Sequence, residues 1–219
     1  MDAPTPPDRK RTAVTRDPER TRRSILDAAT VEFTAKGLNG ARVDDIAARA
    51  GANKRMIYHY FGDKEGLYLA ALEETYVAIR AAEIQLKFTE RDPVEGIREL
   101  IHFTWRYFVE HPEFLSMLGT ENLHRARFLR QSKRIRELHS PLIGMLSDLL
   151  TRGAAAGTFR PNVDPVQLYI SIAGLGFFYM SNRHTLSTIF GRELDATDAL
   201  TERGDHIADV ILSYLQRKP

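Results

Sequence analysis

Side chains able to do catalytic or metal chemistry are spread along this 219-residue chain in no spacing that lets them act together. Cysteine is absent, which removes thiolate ligands, cysteine nucleophiles and disulfides. His102, His111, His124, His139, His184 and His206 stand apart, and no pair has the H-E-x-x-H spacing that sets two ligands on one helix face. There is no G-x-S-x-G, P-loop or G-x-G-x-x-G, and Gly174-Leu175-Gly176 lies inside an apolar run, where small residues serve packing. No enzyme, no cofactor and no metal site are expected. What does cluster is a set of donors suited to a polyanion: Asn53, Lys54, Arg55 and Met56 in succession, then Tyr58, His59 and Lys64. Lys and Arg address guanine edges or phosphates, Met meets a thymine methyl, and Tyr, His and Lys hydrogen-bond a phosphate backbone.

The charge distribution points the same way. Net charge is only +2, yet residues 1–72 carry 13 Lys and Arg against 10 Asp and Glu, while residues 73–219 carry 18 against 19. From Arg9 to Arg23 seven basic side chains face only Asp17 and Glu19, a density that attracts nucleic acid. Charge of this kind also covers ordinary solvated helix faces, so its meaning depends on the elements that carry it. With 43% hydrophobic and 27% charged residues the chain has the composition of a soluble globular protein with a real core. The longest apolar run, Leu168 to Met180, is 13 residues, short of the roughly 20 a membrane span needs. The polar, proline-rich start has no apolar leader pattern, so cytoplasm is the expected compartment.

Period-2 alternation is absent and 3.6-residue stripes recur, which predicts an all-α fold. Asp17-Pro18, Asp92-Pro93 and Asp164-Pro165 each set a capping carboxylate before a proline at the first helical position, and Glu95 and Gln167 complete capping boxes. Residues 1–16 read as a flexible basic arm. A first helix runs from Pro18 to Lys36 and stops at Gly37, with Ile25, Ala29 and Phe33 inward. Two short helices follow, about Val43 to Ala50 and Lys54 to Tyr60, hinged at Gly51. A fourth starts at Asp63 with the stripe Leu69, Leu72, Tyr76, Ile79 and Leu86, and a fifth spans Asp92 to His111. One or two more lie in residues 113–157, where Ser140-Pro141 marks a start or a kink. The last two run from Pro165 to about Arg183 and from Asp195 to Leu215.

Val43, Ile46, Ala47 and Ala50 give the second helix one buried face, Gly51 supplies a left-handed turn, and Asn53 caps the third helix. That is helix-turn-helix grammar. Ile57 anchors the third helix, leaving Asn53, Lys54, Arg55 and Met56 outward at its start to enter a major groove.

The run ILDAATVEFTAKGLNGARVDDIAARAGANKRMIYHYFGDKEGLYLAAL resembles the DNA-binding domain of the TetR/AcrR family of transcriptional regulators. The likeness covers about residues 20–72 and peaks at Tyr58-His59-Tyr60-Phe61 followed by Lys64-Glu65-x-Leu67. Where the family usually carries a Thr pair before the second helix this chain has Ala41-Arg42, so Arg42 is assigned to phosphate. The resemblance implies a three-helix DNA-binding domain over 17–62 and a helical ligand-binding and dimerisation domain over 63–219. It implies a repressor that leaves a palindromic double-stranded operator when a small-molecule effector binds. A ligand-independent binder or activator is the alternative, and a helical-bundle enzyme a weaker one.

Such a domain needs an apolar pocket, for which His102, Trp105, Phe108, Met117 and Phe178 are the expected lining, whereas Arg125 and Arg127 read as solvated surface. The segment from Pro165 to Arg183 is apolar on two faces, Leu168, Ile172, Leu175 and Tyr179 on one and Ile170, Ala173 and Phe177 on the other. A helix buried on two faces suits a subunit interface. Leu168, Ile172, Leu175 and Tyr179, with Ile207 and Ile211 of the last helix, are the expected homodimer contacts, and Gly174 and Gly176 the points of close approach.

Overall fold

The structure, a computed structural model, describes residues 17–216, apart from the side chains of His139 and Ser140. The arm expected over residues 1–16 lies outside the described residues. Nine α-helices form among the described residues: α1 (Pro18–Gly40), α2 (Val43–Ala50), α3 (Lys54–Phe61), α4 (Lys64–Gln85), α5 (Pro93–Glu110), α6 (Pro112–Leu123), α7 (Lys133–Ala155), α8 (Pro165–Phe190) and α9 (Thr197–Leu215). Apart from short 3-10 turns, the other regular feature is one isolated antiparallel bridge between Phe159 and Gln216. The expected all-α class is the class that forms.

The three Asp-Pro starts cap as their chemistry dictates. The carboxylates of Asp17, Asp92 and Asp164 accept from the backbone N–H of Glu19, Val94 and Val166 at 3.0, 2.9 and 2.8 Å. α1 breaks where expected, at Gly37 with φ 65 and ψ 176, and one more turn carries the chain to Gly40. α7 continues through Pro141. Pro141 and Glu137 are both exposed, so the carbonyl that loses its helical partner meets water.

Two ends differ from expectation. α8 runs past Arg183 to Phe190 before Gly191 turns left-handed at φ 64. The loop after it folds back along α8: the Tyr179 hydroxyl donates to the Leu194 carbonyl at 3.0 Å, and Asp195 pairs with Arg183 at 2.8 Å. Asp195 therefore does not cap α9, whose N-cap is Ala196.

The reading head and the remaining helices share one core. The Phe33 and Tyr68 rings meet edge-on at 5.2 Å, Tyr68 meets Phe128 at 5.1 Å, and the Ser116 hydroxyl of α6 donates to the Thr34 carbonyl of α1 at 3.0 Å.

The stripe expected at the dimer contact lies inside the protomer. Leu168, Ile172 and Tyr179 of α8 and Ile207 and Ile211 of α9 are buried, with Leu175 half-buried, because α8 and α9 both pack on α5. Trp105 of α5 shows how close that packing is. Its indole N–H donates to the Leu200 carbonyl at 2.9 Å, and a Cβ at Gly204 would stand 2.7 Å from its ring. Gly176 likewise admits Phe108, at 3.1 Å, whereas Gly174 faces open space. On these two helices the large apolar residues left in solvent are Val166, Ile170, Phe178, Ile189 and Phe190 of α8 and Val210 and Tyr214 of α9.

Candidate nucleic-acid interface

α1, α2 and α3 are joined by polar clamps as well as by apolar packing. Glu32 of α1, 4% exposed, holds Lys36 at 2.7 Å and takes both Arg49 Nε and Nη2 of α2 on one oxygen at 3.1 and 3.0 Å. Lys36 also reaches Asp45 at 3.0 Å. The hydrogen bonds from Lys36 and then Arg49 hold the Glu32 carboxyl below the usual carboxylate range. Ile25, Ile46 and Ile57 close the apolar side, each with no exposure.

The turn to α3 is the one the residues predict. Gly51 is left-handed, φ 59 and ψ 29, and the next N–H, of Ala52, bonds the Ala47 carbonyl at 3.0 Å. The Asn53 side chain accepts from the Arg55 N–H at 2.9 Å. Ile57 is buried, so Asn53, Lys54, Arg55, Tyr58 and His59 are left exposed on the outer face of α3. Met56 is not among them. It is half-buried and packs on the core, because its position falls on the same side of α3 as Tyr60. Arg22 lies over the Phe61 ring at 5.4 Å and ties the basic start of α1 to the end of α3.

Lys54, Arg42 and Lys64 have distinct surroundings. Lys54 is paired with Asp44 at 2.8 Å, and that hydrogen bond raises its pKa. Arg42 is exposed at the N-cap position of α2, with no side-chain cap, as the loss of the Thr pair implies. Lys64 takes a role its motif did not suggest: half-buried, its ammonium donates to the Ala41 carbonyl at 3.0 Å and pins the entry of α2 to the start of α4. α4 begins directly after α3, with Asp63 accepting from the Gly66 N–H at 2.7 Å. A Cβ at residue 66 would fall 2.2 Å from the Phe61 carbonyl, so glycine is required there.

The five residues expected to line a pocket do not converge. Trp105 and Phe108 are packed as described, and Met117 is buried with its carbonyl accepting from the Tyr68 hydroxyl at 3.3 Å. His102 is half-buried with Asp205 at 3.9 Å, and Phe178 is 59% exposed. A cleft of about 550 Å³ opens elsewhere, between α1, α4, α5 and α6, with Thr30, Thr34, Thr75, Tyr107 and His111 in its walls.

Sequence reading missed three groups. The Glu32 clamp and the Asp44–Lys54 pair leave no periodic trace. The third, Arg80 and Glu83 on α4, does: Glu83 occupies the vacant place in the stripe Leu69, Leu72, Tyr76, Ile79, Leu86. A carboxylate on an apolar stripe is buried or the stripe is broken, and here it is buried, 1% exposed.

Among the described residues no helix is long and apolar enough to cross a membrane. Two family models match the chain: "Bacterial regulatory proteins, tetR family" over residues 25–71 and "Tetracyclin repressor-like, C-terminal domain" over residues 93–211. The HTH-type transcriptional repressor NicS of Pseudomonas putida is 40% identical over 199 residues, 91% of this chain and 94% of that protein. Among solved structures, the regulator SCO4942 of Streptomyces coelicolor superposes with a TM-score of 0.66 at 24% identity, covering 90% of this chain and 99% of that one. FadR of Bacillus subtilis, solved with stearoyl-CoA, does so at 0.62 and 18% identity, covering 88% and 98%. With its N-terminal helices matched by one model and residues 93–211 by the other, the chain belongs to the TetR family of bacterial transcriptional regulators.

Proposed function

We propose that this protein is a homodimeric transcriptional repressor that holds a pseudo-palindromic operator through α3 and leaves it when a small molecule binds among α4 to α9. The observation that carries the DNA-binding half is the outer face of α3, where Arg55, Tyr58 and His59 are exposed beside Lys54 while Ile57 and the Gly51 turn hold the helix against α1 and α2. A short helix presented by its N-terminal half, on a rigid clamp, is the geometry that reads base edges in a major groove. The relative named a repressor is similar over nine-tenths of the chain, which supports repression.

Two-fold association is supported by the ridge Val166, Ile170, Gly174 and Phe178, spaced by four along α8, beside Val210 and Tyr214 on α9. Ridges at that spacing interdigitate between helices, and a second copy offers the same ridge about a dyad. Effector control is supported by the α3–α4 junction, where one helix leads straight from the reading head into the larger helical body. FadR, with stearoyl-CoA bound, places a small molecule on the same fold. A ligand-independent binder is the second reading, favoured by the tight packing about Trp105.

The test is selection of operator fragments from random or genomic DNA, followed by titration in rising salt. Specific binding by a dimer, weakening steeply with salt, is the expected result. Binding that survives the paired change Lys54→Ala and Arg55→Ala with its sequence preference intact overturns the assignment of α3.

A further inference from the structure

Arg80 and Glu83 stand one turn apart on α4, deep in the effector half, 2% and 1% exposed. Arg80 Nη1 lies 2.7 Å from Glu83 Oε2, and Arg80 Nη2 donates to the Tyr169 hydroxyl of α8 at 3.0 Å. The rest of their hydrogen-bonding capacity is unused. Arg80 Nε and Nη1 and both Glu83 oxygens are buried without a hydrogen-bond partner, the close Nη1–Oε2 contact being poorly aligned for one. Buried charges left in this state weaken a fold, and apolar residues of the same volume would serve it better, so their cost points to a use.

The surroundings describe that use. Tyr107 on α5 and Tyr169 on α8 are close enough to feel both charges of the pair, and Tyr76 on α4 feels that of Arg80. Burial pushes the Tyr76 and Tyr107 hydroxyls up to about 12, so both keep their protons. Burial also raises Glu83 to about 7, against the pull of Arg80. Tyr107 is at the same time a wall of the 550 Å³ cleft between α1, α4, α5 and α6.

We propose that Arg80 and Glu83 are the polar anchor of the effector site, reached from this cleft past Tyr107, and that they take a small uncharged molecule carrying a hydrogen-bond acceptor and donor side by side, as an amide does. The assignment rests on the effector-controlled reading above. Its chemistry follows from the inventory: a free guanidinium N–H asks for an acceptor, a free carboxylate oxygen asks for a donor, and above the raised pKa of Glu83, where the probes below are compared, the pair together has no net charge to neutralise. An anion would meet Glu83 and a cation would meet Arg80, whereas an amide edge satisfies both. Because both residues belong to the helix that begins at the end of α3, a molecule seated on them acts directly on the element that aims the reading head.

Benzamide, benzoate and benzylammonium, alike in size and differing in charge, serve as probes of melting and of operator binding by the full chain. Three proteins are compared: wild type, R80M/E83L, in which the pair is replaced by apolar side chains, and E83Q. Benzamide is expected to raise the wild-type melting midpoint by about 2–4 °C and to weaken its operator binding about fivefold or more. The R80M/E83L variant should bind operator as wild type does, melt no lower, and ignore benzamide. In E83Q the carboxylate charge is gone and Arg80 is open to an anion, so a benzoate response should appear that wild type lacks. A wild type that responds to benzoate or benzylammonium and not to benzamide, or to none of the three, overturns the proposal. So does an R80M/E83L variant that melts well below wild type while still responding to benzamide, which would make the pair a structural one. Failure of the wild type to bind operator at all counts against the DNA-binding reading and not against this site, since melting is scored without DNA.

Discussion

Arg55 and Lys54 are neighbours on α3 with different obligations in the free protein. Lys54 is held by Asp44 at 2.8 Å and, on the proposed reading, exchanges that partner for DNA, while Arg55 is exposed with its backbone N–H fixed by Asn53. Arg55→Ala should therefore cost about 1–3 kcal/mol of operator affinity and relax preference at one base position. Asp44→Asn should tighten binding to every sequence alike, since it removes a competitor for Lys54 and a negative charge near phosphate; gel-shift titration against operator and random DNA checks both. Lys64 belongs to stability. Its bond to the Ala41 carbonyl predicts that Lys64→Met lowers the melting temperature, with little change in the salt slope of DNA binding. Glu32 carries a pH dependence whose sign follows from its lowered pKa. The stabilisation is fully present above the unfolded carboxylate pKa and is lost as pH falls through the lower folded value. Acid unfolding followed by circular dichroism should show a limb below about pH 4.3 that Glu32→Gln flattens, at the cost of lower stability at neutral pH.

On the proposed reading, the turn between α3 and α4 sets the aim of the recognition face. Gly62 and Asp63 separate the two helices, and Gly66 lets the first turn of α4 close on the Phe61 carbonyl. Gly66→Ala forces a backbone shift, because the obstructing atom is itself backbone and cannot rotate away. The expected result is a loss of about 1–3 kcal/mol in stability, with operator affinity falling further than stability alone explains, as α3 and α4 lose their relative angle. Unchanged affinity in a folded Gly66→Ala protein would show that the junction does not transmit geometry. α1 is tied to α4 by the Phe33–Tyr68 contact and to α6 by the bond from Ser116 to Thr34.

The proposed assembly rests on what α8 and α9 leave in solvent. Leu168, Ile172, Ile207 and Ile211 are satisfied within the protomer, while Ile170, Phe178, Val210 and Tyr214 present apolar surface that one chain alone does not cover. Ile170→Glu combined with Phe178→Glu should give a folded monomer by sedimentation, with unchanged helical content and operator binding reduced to the weak, salt-sensitive level of one reading head. A dimer that persists in this variant would place the interface on another face. Effector and operator must also oppose each other equally, so a molecule that weakens DNA binding by some factor is itself bound more weakly, by that factor, in the presence of operator.

Local rules were enough for much of this protein. Asp-Pro starts, Gly37, the Gly51 turn and the Asn53 cap act over a few residues, and each forms as the sequence predicts because its partners lie within one turn of it. The outward face of α3 was legible for the same reason, once Ile57 was taken as its anchor. Tertiary structure decided what depends on distant partners. Both expected stripes of α8 are apolar, yet the placement of α5 and α9 buries the first and half-buries Ala173 and Phe177 of the second, leaving Ile170 exposed with Val166 and Phe178 instead. Lys64 reads as one more cation until the fold brings the Ala41 carbonyl to it, and Met56 as a base contact until the core takes it. Glu83 fills a place on the apolar stripe of α4 and so is marked for burial, but that Arg80 is buried beside it, on Tyr169 of α8, is long-range packing that no local pattern encodes.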